Sequence, residues 1–237
     1  MASLTLDPKR FLKSQLCVVG VLLVLHALGR YLRFGLGYDY AWGFVPLFNL
    51  NDEMNFPTLY SSALFLIAAG LFWVIANLDR QSGGHYFRYW WGLATIFGFL
   101  ACDEMLILHE RLDAPLRGLL VLPSFLHYAW VVPYSLGLVF GGVIYRRFFF
   151  DLDPETRSGL LLSAGVFLTG ALLLEMVGSA IVSGQGVFNA PYLIVATGEE
   201  LLELCGLILL NYALLKKIAA GNRTLQIRFA PIEEGGF

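Results

Sequence analysis

Residues 86–115 read YFRYWWGLATIFGFLACDEMLILHERLDAP, an apolar and aromatic run whose second half carries Asp103, Glu104, His109, Glu110, Arg111 and Asp113. The run is long enough to cross a hydrocarbon core of about 30 Å, which takes about 20 helical residues. Its second half puts carboxylates and an imidazole where hydrocarbon is expected. Either this is no membrane helix, or it carries a polar site inside the membrane.

The rest of the chain decides for the membrane. Of its 237 residues 57% are hydrophobic and 14% charged, and the mean hydropathy of +0.67 is too high for a soluble domain of this size. Six segments have spanning length: 14–34, 57–77, 87–112, 122–146, 158–183 and 191–215. Backbone in lipid must satisfy its own hydrogen bonds, and these runs are too long and too weakly alternating for barrel strands. The pattern therefore predicts an all-α, polytopic membrane protein, a bundle of six transmembrane helices over residues 1–218 followed by a short tail, 219–237.

The first segment follows Lys9, Arg10 and Lys13 as a secretory signal would. No small-x-small cleavage pattern comes after it, and Arg30 and Arg33 do, so it reads as a retained span. Cys17, Cys102 and Cys205 all fall within spans, so no disulfide framework is indicated. Asn55 and Pro57 open the second span, Pro123 the fourth and NAP (189–191) the sixth, while DLDPETRSG (151–159) separates the fourth from the fifth. The aromatic outer segment 35–56 is expected to fold back over the bundle.

With the N-terminus inside, the inner segments hold twelve Lys and Arg residues and the outer segments four, namely Arg30, Arg33, Arg111 and Arg117. By the positive-inside rule both termini are cytoplasmic, in a bacterial inner membrane crossed many times. A net charge of −2 gives no pointer to nucleic acid. The expected surroundings are membrane lipids.

Depth follows from the helical rise. His26, Glu104, Glu175 and Glu199 each lie eight residues from the outer end of their span, or about 12 Å below that face. Asp103, Glu200 and Glu203 lie deeper; Ser61, Ser62, His127, His109 and Glu110 lie nearer the surface. On straight helices Glu199, Glu200 and Glu203 fit one face, Asp103 and Glu110 share a face, and Glu104 and His109 diverge by about 100° on either side of it. An ionised group at the bilayer centre costs about 2.5–3.5 kcal/mol. Seven acids (Asp103, Glu104, Glu110, Glu175, Glu199, Glu200 and Glu203) therefore need protons, water or bound metal cations to compensate them.

DEMLILHE (103–110) and EELLE (199–203) offer carboxylate and imidazole ligands in amounts that suit a dinuclear centre with four carboxylates and two histidines. Such centres carry Glu-x-x-His on one helix face, whereas the nearest acid upstream of His109 is Glu104, five residues away. Zinc held by His26, His109 or His127 with an acid and a water fits equally well. The expected ligands of a divalent iron, zinc or manganese ion are Asp103, His109, Glu110, Glu175, Glu199 and Glu203, with His26 and His127 completing the set. Glu104 and Glu200 are expected to do the chemistry. Blander roles compete. His26 and His127 would hydrogen-bond at the interface, Cys102 and Cys205 would pack as small apolar groups, and Asn55 would cap a helix with Asp52 and Glu53 beside its N-terminus.

The combination of NDEMNFPTLYSS (51–62), CDEMLILHERLDAP (102–115) and EELLELCG (199–206) resembles that of uncharacterised bacterial multi-pass membrane proteins over residues 50–210. The resemblance implies a helical membrane fold and no activity. Zinc hydrolases of the alkaline ceramidase and adiponectin receptor type also place Ser, Asp and His within spans, but this chain lacks their paired histidines on a late helix.

These residues point to a metal-dependent membrane enzyme, a hydrolase or a di-metal oxidoreductase, acting on a lipid-like or other apolar substrate. A proton- or cation-coupled transporter would use the same acids. A non-catalytic subunit would offer them to a membrane protein partner.

Overall fold

The computed structural model describes residues 3–5, 7–119, 121–185, 189–220 and 226–228. The expected tail therefore lies largely outside the described residues. A short strand β1 (Ser3–Thr5) pairs antiparallel with β2 (Gln226–Arg228), Leu4 opposite Ile227, which brings these two segments side by side.

The rest is helical. Helix α1 (Pro8–Arg30) starts where the Asp7 carboxylate accepts the backbone N–H groups of Lys9 and Arg10, and it runs on into a π turn, Tyr31–Gly35. The segment 35–56, expected on the outer side, then folds into a 3-10 turn (Ala41–Gly43) and a single helical turn, α2 (Phe44–Leu47). Asn55 caps α3 (Phe56–Gln81), as expected, its Oδ1 accepting from Thr58 N–H at 3.1 Å. Next come α4 (Phe87–Leu106), α5 (Leu108–Arg111) and α6 (Asp113–Leu119). After a 3-10 turn at Ser124–Leu126 follow α7 (Val131–Phe150) and α8 (Pro154–Leu168). A π stretch (Thr169–Leu174) joins α8 to α9 (Glu175–Gln185), and α10 (Ala190–Ala220) closes the bundle.

Among the described residues, three helices are long and apolar enough to cross a membrane: Pro8–Gly35, Phe56–Gln81 and Pro154–Gly184. A fourth is added if Phe87–Leu106 and Leu108–Leu119, bent by 70°, form one broken span. The remaining two rods are less purely apolar, since α7 carries Arg146 and Arg147 in its last turns and α10 carries three glutamates with Lys216 and Lys217.

Three expectations need correction. The third span was expected to be continuous over 87–112, but it breaks at Ile107, whose φ of 54° and ψ of 46° end α4. The fourth was expected from 122; its helix begins at Val131, because Pro123 (ψ 163°) leads only into a short 3-10 turn. The fifth, expected over 158–183, starts earlier on the Asp153 cap and is interrupted by the π stretch.

Lipid tails are as apolar as leucine, so helices in a membrane associate through close packing and a few polar contacts. The seam between α8 and α10 shows the first. A Cβ on Gly159 would lie 2.8 Å from the Ala213 Cβ, and one on Gly206 would lie 2.6 Å from the Phe167 Cβ. Only glycine allows that approach. Asn211 supplies the second, its amide N–H donating to the carbonyls of Leu64 and Leu207, both at 3.0 Å. A packed apolar plug built from Leu71, Phe72, Ile75, Trp90, Phe148 and Leu214 lies at the end where α3 turns into α4. A second cluster, with Val19, Leu64, Phe65, Leu204 and Ile208, also buries Leu50 of the outer segment, which does fold back on the bundle.

Candidate metal centre

The break at Ile107 builds the site. Ile107 is β-branched and occupies the left-handed region, a conformation that costs of order 1–3 kcal/mol and persists where surrounding contacts enforce it. Asp103, on the last turn of α4, supplies one of those contacts. Its Oδ1 accepts the backbone N–H of His109 at 2.8 Å, which caps the first turn of α5, and lies 3.4 Å from Nδ1 of the same histidine. Its Oδ2 accepts the Tyr134 hydroxyl at 2.7 Å. The His109 ring packs edge-on against Trp130, with centroids 4.8 Å apart, and Trp130 in turn packs against Tyr134. On a straight helix Asp103 and His109 would be six residues apart and unable to meet; the bend brings them together.

The opposite edge of His109 faces Glu53. Nε2 lies 3.6 Å from the Glu53 Oε1, and side-chain exposures of 15% and 29% leave the pair open to a small ion. Glu53 reaches this place from the loop before α3. The Asn55 amide ties that loop by donating to the carbonyls of Pro46, Asn49 and Asp52, and Met54 adopts a φ of 57° next to Glu53. Glu53 Oε2 is buried and has no hydrogen-bond partner among the described residues. Glu53, His109 and Glu110 each offer a ligand atom, and these atoms lie within 4.8 Å of one another.

The other acids surround this trio. Glu175 begins α9 directly after the π stretch, a device often found where a helix re-aims side chains at functional sites. Its carboxyl lies near that of Glu199 of α10 and near the Trp130 indole. Glu104 is in contact with Ser61 of α3. Glu200 and Glu203 interact electrostatically with Glu53, Glu104 and Glu175, and the basic group facing Glu104, Glu110, Glu175 and Glu203 is His109. Glu104, Glu199, Glu200 and Glu203 are each partly accessible. Carboxylates from four segments thus lie near one another.

Gly170 makes the approach of the fifth rod possible, since a Cβ there would lie 2.7 Å from the Glu199 carbonyl oxygen and 3.1 Å from the Glu203 Cγ.

The structure places the two remaining candidates elsewhere. The buried His26 bridges two elements: its Nδ1 accepts the Leu50 N–H at 3.0 Å, and its Nε2 lies 3.3 Å from the Thr197 hydroxyl. Thr197 also donates to the Asn51 Oδ1, and Asn51 Nδ2 donates to the Leu193 carbonyl. This network latches the outer segment onto α10. His127 sits 3.5 Å from the Arg117 guanidinium, with Asp113 nearby.

Glu53, Trp130 and Tyr134 are the residues that sequence reasoning left outside the site. Glu53 had a signal, its position just before the second apolar helix. Trp130 and Tyr134 had only their i, i+4 spacing.

Among curated proteins and among solved structures, none matches this chain. A family model described as "Domain of unknown function (DUF8692)" matches residues 16–218. The match takes in every residue of the cluster from Glu53 to Glu203, and the chain belongs to that family.

Proposed function

We propose that this chain is a six-span protein of the bacterial inner membrane that holds a divalent metal ion in the outer half of its bundle, and that it uses the ion in an enzymatic reaction on a lipid-like or other apolar substrate. The observation that carries the reading is the convergence of Glu53, His109 and Glu110 ligand atoms within 4.8 Å, from two segments joined only through the fold. Oxygen donors with one imidazole suit manganese, iron or zinc. Glu175, Glu199 and Glu203 stand ready to complete the shell or to hold a second ion. The contact between the Glu175 and Glu199 carboxyls needs a shared proton or a shared cation.

Electrostatics favours a cation. Two like charges about 5 Å apart repel by about 3 kcal/mol at an effective dielectric near 20, and one imidazole cannot offset eight carboxylates. Glu104 and Glu200, which the trio does not use, would serve as general base if a bound ion supplied an activated water. The apolar plug around Phe72, Trp90 and Phe148 closes the far half of the bundle, which favours an enzyme over an ion-coupled transporter. The β1–β2 pairing supports an even number of crossings, and the Lys/Arg distribution supports cytoplasmic termini.

Elemental analysis of protein purified without chelators tests the reading. Wild type should carry a stoichiometric transition metal, and a Glu53→Gln, His109→Gln double variant should lose it while still inserting in the membrane. Metal-free wild type would overturn the reading.

A further inference from the structure

Asp103 sits among the acids but is used differently from the rest. Both of its oxygens are already engaged, Oδ1 by the His109 backbone N–H at 2.8 Å and by Nδ1 of the same ring at 3.4 Å, Oδ2 by the Tyr134 hydroxyl at 2.7 Å. It is 4% exposed, whereas Glu53 keeps one buried oxygen without a hydrogen-bond partner among the described residues. An acceptor beside Nδ1 keeps the proton on that nitrogen, and the lone pair is then left on Nε2. Nε2 is the atom that faces Glu53. Trp130 and Tyr134 against the ring fix the remaining rotation.

We propose that Asp103 is a positioning residue and not a ligand: it selects the His109 tautomer that presents Nε2 to the metal, and Tyr134 holds Asp103 in place for that task. The inference rests on the metal reading above and deepens it. Outer carboxylates of this kind orient a histidine ligand and raise its basicity, and removing them weakens metal binding without removing a ligand. A purely structural Asp103, serving only as the cap of α5, would affect folding and leave the affinity of folded protein unchanged.

The test is titration of the full chain, in detergent and stripped of metal, with Co2+ alone, followed by the visible bands that report the ion's ligands. Asp103→Asn should weaken Co2+ binding by about 10–100-fold and shift the bands. Tyr134→Phe leaves the carboxylate and the cap intact, so it decides the matter if Asp103→Asn does not fold. It should weaken binding in the same direction by a smaller factor. Wild-type affinity and bands in Tyr134→Phe, or in folded Asp103→Asn, would overturn the positioning role while leaving the metal site standing. Wild type that binds no Co2+ would overturn the metal reading and this inference with it.

Discussion

Replacing Gly170 by alanine should drive the fifth rod away from α10. A Cβ at this position would lie 2.7 Å from the Glu199 carbonyl oxygen and 3.2 Å from the Glu203 backbone nitrogen, both main-chain atoms that no rotamer change can move. The shortest approach falls about 0.7 Å short of ordinary contact, and overpacking of this kind costs about 1–3 kcal/mol. Alanine recovers up to about 1 kcal/mol through its better helix propensity, so a net loss of about 1–2 kcal/mol is expected. In a chain of this length that lowers the melting temperature by roughly 2–4 °C for each kcal/mol. The displacement also carries Glu175 away from Glu199, and a shift of several tenths of an ångström exceeds the roughly 0.2 Å tolerance of a metal shell. The assay is thermal melting with metal analysis on the same sample. Gly165→Ala serves as control, because nothing lies within 4 Å of a Cβ there. A Gly170→Ala variant that melts with the control and keeps its metal would refute the claim that close packing at Gly170 assembles the cluster.

Other expectations follow from single contacts. Burial alone would raise the Asp153 carboxyl, but the Thr156 N–H at 2.8 Å and the Lys217 ammonium at 3.2 Å hold it below the usual carboxylate range. Its stabilisation is therefore full above the unfolded value of about 3.9 and is lost as pH falls through the lower folded value. Asp153→Ala should cost about 1 kcal/mol at neutral pH, mostly as a lost helix cap, because the exposed ion pair adds little. Melting curves of variant and wild type should converge below about pH 4; a constant gap would contradict the assignment. His26→Ala removes the latch of the outer segment, so amide exchange at Leu50 should quicken markedly, and unchanged protection would show that the segment is held by other contacts. Reporter fusions after Ser183 and after Arg228 should report opposite compartments, and the same compartment for both would sink the six-span count.

Much of this fold was legible from hydropathy, because a membrane helix announces itself by length and composition alone. The caps at Asn55 and Asn189 were legible as well, each accepting a backbone N–H three residues on. The breaks were not. Ile107 is an apolar, β-branched residue inside an apolar run, and nothing local marks it for the left-handed region; the Asp103 and Tyr134 contacts impose that conformation from outside. The π stretch before Glu175 likewise depends on the fit of Gly170 against α10. Pro123 misled because proline opens helices and 3-10 turns alike. For the site, carboxylate-rich helices were readable from the sequence, but the way the carboxylates meet around His109 was not. The awkward distance between Glu104 and His109 on a straight helix was itself a cue, since a chain that bends there needs no Glu-x-x-His. Glu53 could be found only once the outer loop was folded, and His26 turned out to tie that loop to α10.

The central claim is that a cation compensates these carboxylates. Melting of purified protein at neutral pH, with and without a strong chelator, tests it most directly. With metal as the compensating charge, chelation should leave like charges facing one another around His109, lower the melting temperature, and be reversed by adding back the right ion. A melting curve indifferent to chelator, from protein shown to contain no metal, would contradict the account and leave protons as the compensating charge.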